Sequence, residues 1–168
     1  MTSEKLKRDF FIRDVLTVAP ELLGKILVCI VEEEIVRYRI TETEAYRGSE
    51  DFACHACKGR TSRTEVMFHT GGVVYVYLIY GMYWMLNFVT GSKDEPQATL
   101  IRGLDGLYGP GRITRRLQID KSFYGEDITV SPRMWVEDDG FKPEYKKGSR
   151  IGVDYAGEWK DKLWRFYV

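Results

Sequence analysis

The chain has 168 residues, a length that favours one domain (1–168) and suffices for a full hydrophobic core without disulfide or metal staples. Hydrophobic residues make up 44% and charged residues 30%, ordinary for a soluble globular protein, while 25 Lys+Arg against 25 Asp+Glu leave no net charge, so only a local basic face is available for contact with phosphate. Cys29, Cys54 and Cys57 are too few for a disulfide framework, the start MTSEKLKRDFF has no apolar signal core, and no run approaches the roughly 18 apolar residues of a membrane span.

In chain order, TVAPELL (17–23) predicts a short helix, with Pro20 in its first turn and Gly24 as its stop. Lys25–Val31 is β-branched and apolar and predicts a buried strand. Glu32–Glu34 turns the chain into a second, antiparallel strand over Val36–Tyr46. A polar stretch from Arg47 to Thr64 follows, long for a plain connection, and long ordered loops often carry function; within it Ser49 is placed to cap a helical turn ending at Phe52. Val73–Val89 reads as two strands around Tyr80-Gly81-Met82. Ala98–Arg102 is another short strand, Gly111–Ile119 reads as a helix preceded by Pro110, and Ile128–Val130, Met134–Val136 and Trp164–Val168 read as further strands. The sum is an α+β domain: a mostly antiparallel, curved sheet with small peripheral helices and a projecting hairpin.

Four groups of residues invite chemistry. Glu42 and Glu44 share a strand face by the period of two, which suits either glycosidic-bond cleavage by carboxylates or a solvated polar face. Cys54-His55-Ala56-Cys57 has zinc-ligand spacing but no second spaced pair, so it reads as a metal or redox site or as two incidental thiols around one His. The hairpin carries Tyr75, Tyr77, Tyr80, Tyr83 and Trp84 beside Asn87, as core packing or, at the Tyr80 tip, as a wedge for stacked bases. A two-residue turn pairs Tyr77 with Trp84, whereas a three-residue loop pairs Tyr77 with Met85 and puts Tyr75, Tyr77 and Asn87 on one face; a shared pocket requires the second. Arg112, Arg115 and Arg116 at helical spacing, and Lys58, Arg60 and Arg63 in the long loop, are the two basic clusters.

With these residues in view, the chain resembles the alkyladenine (methylpurine) DNA glycosylases. The matching stretches are ELLGKILV (21–28), TETEAYRG (41–48), EDFACH (50–55), Met67-Phe68, VYVYLIYGMYWMLN (74–87), Leu100–Arg102, Gly109–Leu117, IDKSF (119–123), RIGVDYAGEW (150–159) and RFYV (165–168), in the same order and over nearly the whole chain. The resemblance implies a monofunctional enzyme that flips alkylated purines such as 3-methyladenine and 7-methylguanine out of double-stranded DNA, with hypoxanthine and etheno-adenine as further candidate substrates. It would hydrolyse the N-glycosidic bond and leave an abasic site for base excision repair.

Residue by residue, the resemblance makes Glu44 the base that activates water, with Arg102 beside it. Tyr46, His55, Tyr77 and Asn87 would form the base pocket, Asn87 disfavouring normal guanine through its exocyclic amine. Tyr80 would fill the gap in the duplex, and Met67 and Tyr83 would contact DNA, as would Arg112 and Arg115 from the basic segment. The resemblance implies no cofactor and no metal. A monomer is expected, without membrane association, in the nucleoid of a prokaryote or the nucleus of a eukaryote. Two other classes stand beside this reading: a lesion-binding protein that flips bases without cleaving them, and a small zinc or redox protein built on Cys54 and Cys57.

Overall fold

The computed structural model describes residues 2–168. Among the described residues are ten strands: β1 (Glu4–Lys5), β2 (Ile26–Val31), β3 (Glu34–Arg47), β4 (Val74–Ile79), β5 (Tyr83–Val89), β6 (Gln97–Leu104), β7 (Leu107–Tyr108), β8 (Met134–Asp138), β9 (Lys146–Gly148) and β10 (Arg165–Tyr167). All pair antiparallel, in the order β1-β8-β2-β3-β6-β5-β4, with β7 beside β6, and β10 between β3 and β9. Three short helices, α1 (Arg8–Phe11), α2 (Val15–Glu21) and α3 (Pro110–Arg116), lie against this sheet. The expected α+β class, sheet and small helices are all present.

β2 and β3 pair through Val31 and Glu34 across Glu32-Glu33, both with positive φ (49° and 69°), the two-residue turn whose twist suits a hairpin. One face of the sheet is closed by α2. Val15, Val18, Ala19 and Leu22 sit against Leu27, Cys29, Ile40, Ala45, Ile101 and Leu104 in the main core, which Ile113 of α3 joins from the side. Burying each valine, leucine or isoleucine side chain among these contributes about 1.5–3 kcal/mol.

The helix expected over 17–23 begins earlier, at Val15, because Asp14 caps it by accepting from the Leu16 amide at 2.8 Å. Pro20 therefore lies in its last turn. The Ala19 carbonyl accepts instead from the Thr43 hydroxyl at 2.8 Å, tying α2 to β3. Gly24, at φ +85°, ends the segment as expected.

Two expectations fail for local reasons. Ser49 caps no helical turn: the chain bends through 48–50, and the Asp51 carboxylate takes the nearby amides, Arg47 and Ala53, each at 3.0 Å. Ile128–Val130 is not a strand. The Asp127 carboxylate accepts from the Thr129 amide (2.9 Å) and hydroxyl (2.6 Å), and its carbonyl accepts from the Ser131 amide (2.8 Å), so this side chain offers the backbone a turn in place of a ladder.

The β4–β5 hairpin takes the three-residue loop. Tyr75 faces Asn87, Tyr77 faces Met85 and Ile79 faces Tyr83. Tyr80 and Gly81 at the tip have φ of 51° and 65°, and Tyr80 is 87% exposed. A bulky residue in the left-handed region, held out in solvent, is strained without any packing to compensate it.

Candidate active site

β3 does two jobs along its 14 residues. Its first half pairs with β2, and its second half lies between β6 and β10, with Glu44 opposite Leu100 on one side and Arg165 on the other. The β3–β6 register slips twice, between Ile40 and Glu42 and between Glu42 and Thr43, so Thr41 and Arg102 are each left without an opposite residue. Such bulges re-aim side chains. Here the bulge turns Arg102 onto the face carrying both carboxylates: its Nε is 3.7 Å from Glu42 and its Nη1 3.6 Å from Glu44. The strands come so close at this point that a Cβ on Gly103 would lie 2.9 Å from the Glu42 Cβ, so a glycine is required.

Glu44 has a fully buried side chain. One carboxylate oxygen accepts from the Tyr46 hydroxyl at 2.9 Å and the other from the Ile151 backbone N–H at 2.7 Å. Burial raises its pKa above the ordinary glutamate value; Arg102, the Ile151 amide and Tyr46 oppose that rise, and Glu42 adds to it. The net direction is up, which suits a base working near neutral pH. Glu42 is held differently, by Arg102 and by Arg165 at 3.2 Å, at the solvent side.

The Tyr46 ring connects Glu44 to a small cavity lined by Tyr46, Ala53, His55, Met67, Tyr75, Tyr77, Asn87 and Ala98. Four of these are the residues expected to form a base pocket, and the structure brings all four together. The free volume is about 10 Å³, room for one water and far too little for a purine. Side chains around the cavity must therefore move apart to admit a base.

His55 opens a 3₁₀ turn (His55–Lys58) and meets the Tyr75 hydroxyl through Nδ1 at 2.8 Å. Its ring stands edge-on to Tyr77, centroids 4.4 Å apart. Burial, then the charges of Arg63 and Lys58, push its pKa down to about 4, so the ring is neutral at physiological pH. Asn87 is buried, and its amide nitrogen donates to the Met85 carbonyl at 3.3 Å.

Met67 is also buried in the pocket wall, so any contact it makes is with a base inside the pocket. Tyr83 is half-buried: its ring packs on Gly111, whose added Cβ would lie 2.9 Å from it, and the Arg115 guanidinium stands 5.9 Å from the ring centre. Arg112 and Arg115 are exposed on α3. The loop cluster is divided: Arg60 is tied to Asp94 (2.6 Å) and Glu65 (3.3 Å), whereas Arg63 reaches over the Tyr77 ring (5.1 Å) and the His55 ring nitrogens (3.4 and 3.5 Å).

Cys54 is buried, and burial pushes its thiol up to about 12, so it is a poor nucleophile and a poor metal ligand. Cys57 is half-buried, its thiol directed at the Phe52 carbonyl at 3.9 Å. Among the described residues, no three His, Cys, Asp or Glu side chains gather so as to hold a metal ion.

Sequence reasoning placed Arg63 only in a basic cluster, not over the pocket rings, and assigned no role to the Ile151 amide or to a buried pair between Asp51 and Arg150 described below. Tyr75 was placed on the correct hairpin face, without its bond to His55.

A profile of the methylpurine-DNA glycosylases matches residues 9–108 and 106–168, nearly the whole chain. The chain belongs to the methylpurine-DNA glycosylase family. Its similarity to individual family members is even. It is 42% identical to a protein of Psychrobacter cryohalolentis (99% of this chain, 92% of the relative), 40% identical to one of Natranaerobius thermophilus (98% and 95%), and 45% identical to one of Rickettsia felis (97% and 92%). Each of these relatives is described as a candidate 3-methyladenine DNA glycosylase. As for membranes, no helix among the described residues of this family member is long and apolar enough to cross one.

Proposed function

We propose that the protein is a monofunctional 3-methyladenine DNA glycosylase of base excision repair, acting on alkylated purines turned out of double-stranded DNA. The observation that carries this reading is the direct link from pocket to carboxylate: the Tyr46 ring lines the cavity, and its hydroxyl bonds Glu44. Family membership supplies the substrate class.

A target base inside a duplex is out of reach, so the nucleotide must rotate into the pocket. Tyr80 at the hairpin tip enters the vacated stack and offsets part of an unstacking cost of a few kcal/mol. The strain at Tyr80 and its exposure support that use. An N3- or N7-alkylated purine is cationic and stacks well between the electron-rich rings of Tyr46 and Tyr77. It also leaves without protonation. As the C1′–N9 bond lengthens, its electron pair goes to the departing base and positive charge grows on the sugar. Glu44 stabilises that charge, directs a water oxygen to C1′ and takes the water proton, while Arg102 keeps the carboxylate ionised. Asn87 meets the exocyclic amine of normal guanine and disfavours it. Arg112, Arg115, Tyr83 and Arg63 contact DNA around the lesion. The working form is a monomer, and no cofactor or metal takes part. Hypoxanthine and etheno-adenine are neutral and need an acid in addition, which separates them from the cationic substrates.

The test is release of labelled bases from methylated, hypoxanthine-containing and etheno-adenine-containing duplexes. The parent protein is expected to release methylpurines, and Glu44→Gln to bind the same duplex without releasing them. No release from any duplex refutes the enzyme and favours a lesion-binding protein. Equal release by Glu44→Gln refutes the role of Glu44.

A further inference from the structure

Arg150 and Asp51 form a bidentate ion pair (2.6 and 2.9 Å) whose two side chains are both fully buried. Asp51 also caps the Arg47 and Ala53 amides, so its two oxygens accept four hydrogen bonds. The Arg150 guanidinium donates further to the Ala45 carbonyl (3.0 Å), between Glu44 and Tyr46, and to the Trp159 carbonyl (3.0 Å). It lies 5.0 Å from the ring centres of both Tyr46 and Trp164. Its Nε is buried with no partner.

A buried pair with an orphaned donor is poorly explained by stability, because apolar replacements of such pairs are often neutral or better. Its value is sought in geometry. The residue after Arg150 supplies the N–H that bonds Glu44 at 2.7 Å, yet the Ile151 side chain is 47% exposed and Gly152 follows at φ +75° with open space around it. The segment around 150–153 forms neither helix nor strand. The packing of Ile151 therefore cannot fix that amide, and the adjacent anchor is the Arg150 side chain.

We propose that Arg150, clamped by Asp51, is a positioning residue for the glycosylase reaction: it fixes the Ile151 N–H on one oxygen of Glu44 and backs the ring of Tyr46, whose hydroxyl holds the other. Both contacts leave the carboxylate with one orientation, its bulk facing Arg102 and the pocket. Asp51 sets the position of Arg150 and anchors the long loop that carries His55, so a single ion pair aligns the carboxylate strand with the pocket wall.

This inference rests on the glycosylase reading, and the experiment separates the two. Single-turnover release of methylpurine is measured against pH for the parent, Arg150→Lys and Ile151→Pro, alongside thermal melting and affinity for a duplex with a stable abasic analogue. Arg150→Lys keeps the charge but loses the fork; Ile151→Pro removes the N–H, along with the exposed Ile side chain and the backbone freedom at residue 151. Both variants are expected to melt cooperatively and to bind the analogue within about threefold of the parent, while release slows by about ten- to a hundredfold, the usual worth of a hydrogen bond to a charged group. The acid limb of the pH profile moves to higher pH, since that bond favours the ionised carboxylate. A merely structural role lowers the melting temperature and leaves the acid limb in place. An unmoved limb with near-parental rates in either folded variant overturns the proposal, and should Arg150→Lys not fold, Ile151→Pro carries the test alone. If the parent releases no base, it is the glycosylase reading that fails.

Discussion

Replacing Glu44 with glutamine should abolish base release and at the same time stabilise the protein, by an amount that depends on pH. Glu44 has no exposed side-chain surface, and the cost of burying its charge outweighs the help of Arg102, Tyr46 and the Ile151 amide, so its pKa in the folded protein lies above the ordinary value of 4.5. A raised carboxyl pKa means that the folded state holds the proton more tightly than the unfolded chain. Its stabilising contribution is complete below about pH 4.5 and is lost as pH rises through the folded value. Glutamine has no proton to lose. Through that window the parent should fall behind Glu44→Gln by up to about 1.4 kcal/mol per pH unit. In a domain of this size that is roughly 3–5 °C of melting temperature per unit. The assay is melting of both proteins across pH 4–9 in matched salt. The two curves should nearly coincide at the acid end, separate through the folded pKa of Glu44, and run parallel above it. The pH at which the curves become parallel should match the acid limb of base release by the parent, because both report the folded-state ionisation of Glu44. A difference that is flat in pH, or a variant less stable than the parent at pH 8, refutes the account of the site.

Three further outcomes are expected. Tyr80→Gly relieves the left-handed strain at the hairpin tip, so melting should change by no more than about 1 kcal/mol, while release from duplex drops about tenfold or more and release from a methylated single strand holds; equal losses on both substrates contradict a wedge. Asn87→Ala should raise release of unmodified guanine above background, read as abasic sites formed in undamaged duplex, and unchanged discrimination removes Asn87 from specificity. Arg115→Gln should reduce the slope of log affinity against log salt by about one, whereas Arg60→Gln, already paired with Asp94 at 2.6 Å, should leave that slope alone.

The hairpin was legible because its alternation leaves only two registers, and only one of them gathers Tyr75, Tyr77 and Asn87 on a face. The β2–β3 pairing was legible from a β-branched run followed by an alternating one. Glu44 was another matter. Its pattern fits a wet polar face as well as a catalytic one, and only the resemblance separated it from Glu42. What the sequence hid falls into two kinds. Some features depend on one side chain outbidding its neighbours for local amides, as Asp51 does over Ser49 and as Asp127 does against a strand. Others depend on partners far apart in the chain: Asp51 and Arg150 are separated by 99 residues, and Arg60 and Asp94 by 34. The bulge that turns Arg102 toward Glu44 belongs to a third class, since it arises from the register of two strands and leaves Gly103 as its only trace.

The flanking of β3 on both sides has a consequence for motion. Glu44 sits on a segment hydrogen-bonded to β6 and β10 together, and the Ala45 amide donates to the Trp164 carbonyl at 2.8 Å, so its exchange should report detachment of the short β10 rather than fraying of β3 itself. The opposite wall of the pocket hangs on a loop with two short 3₁₀ turns, His55–Lys58 and Glu65–Phe68. The site thus joins two kinds of support: the carboxylate rests on a strand paired on both sides, and the facing wall on a loop held by short turns and by the Asp51–Arg150 pair.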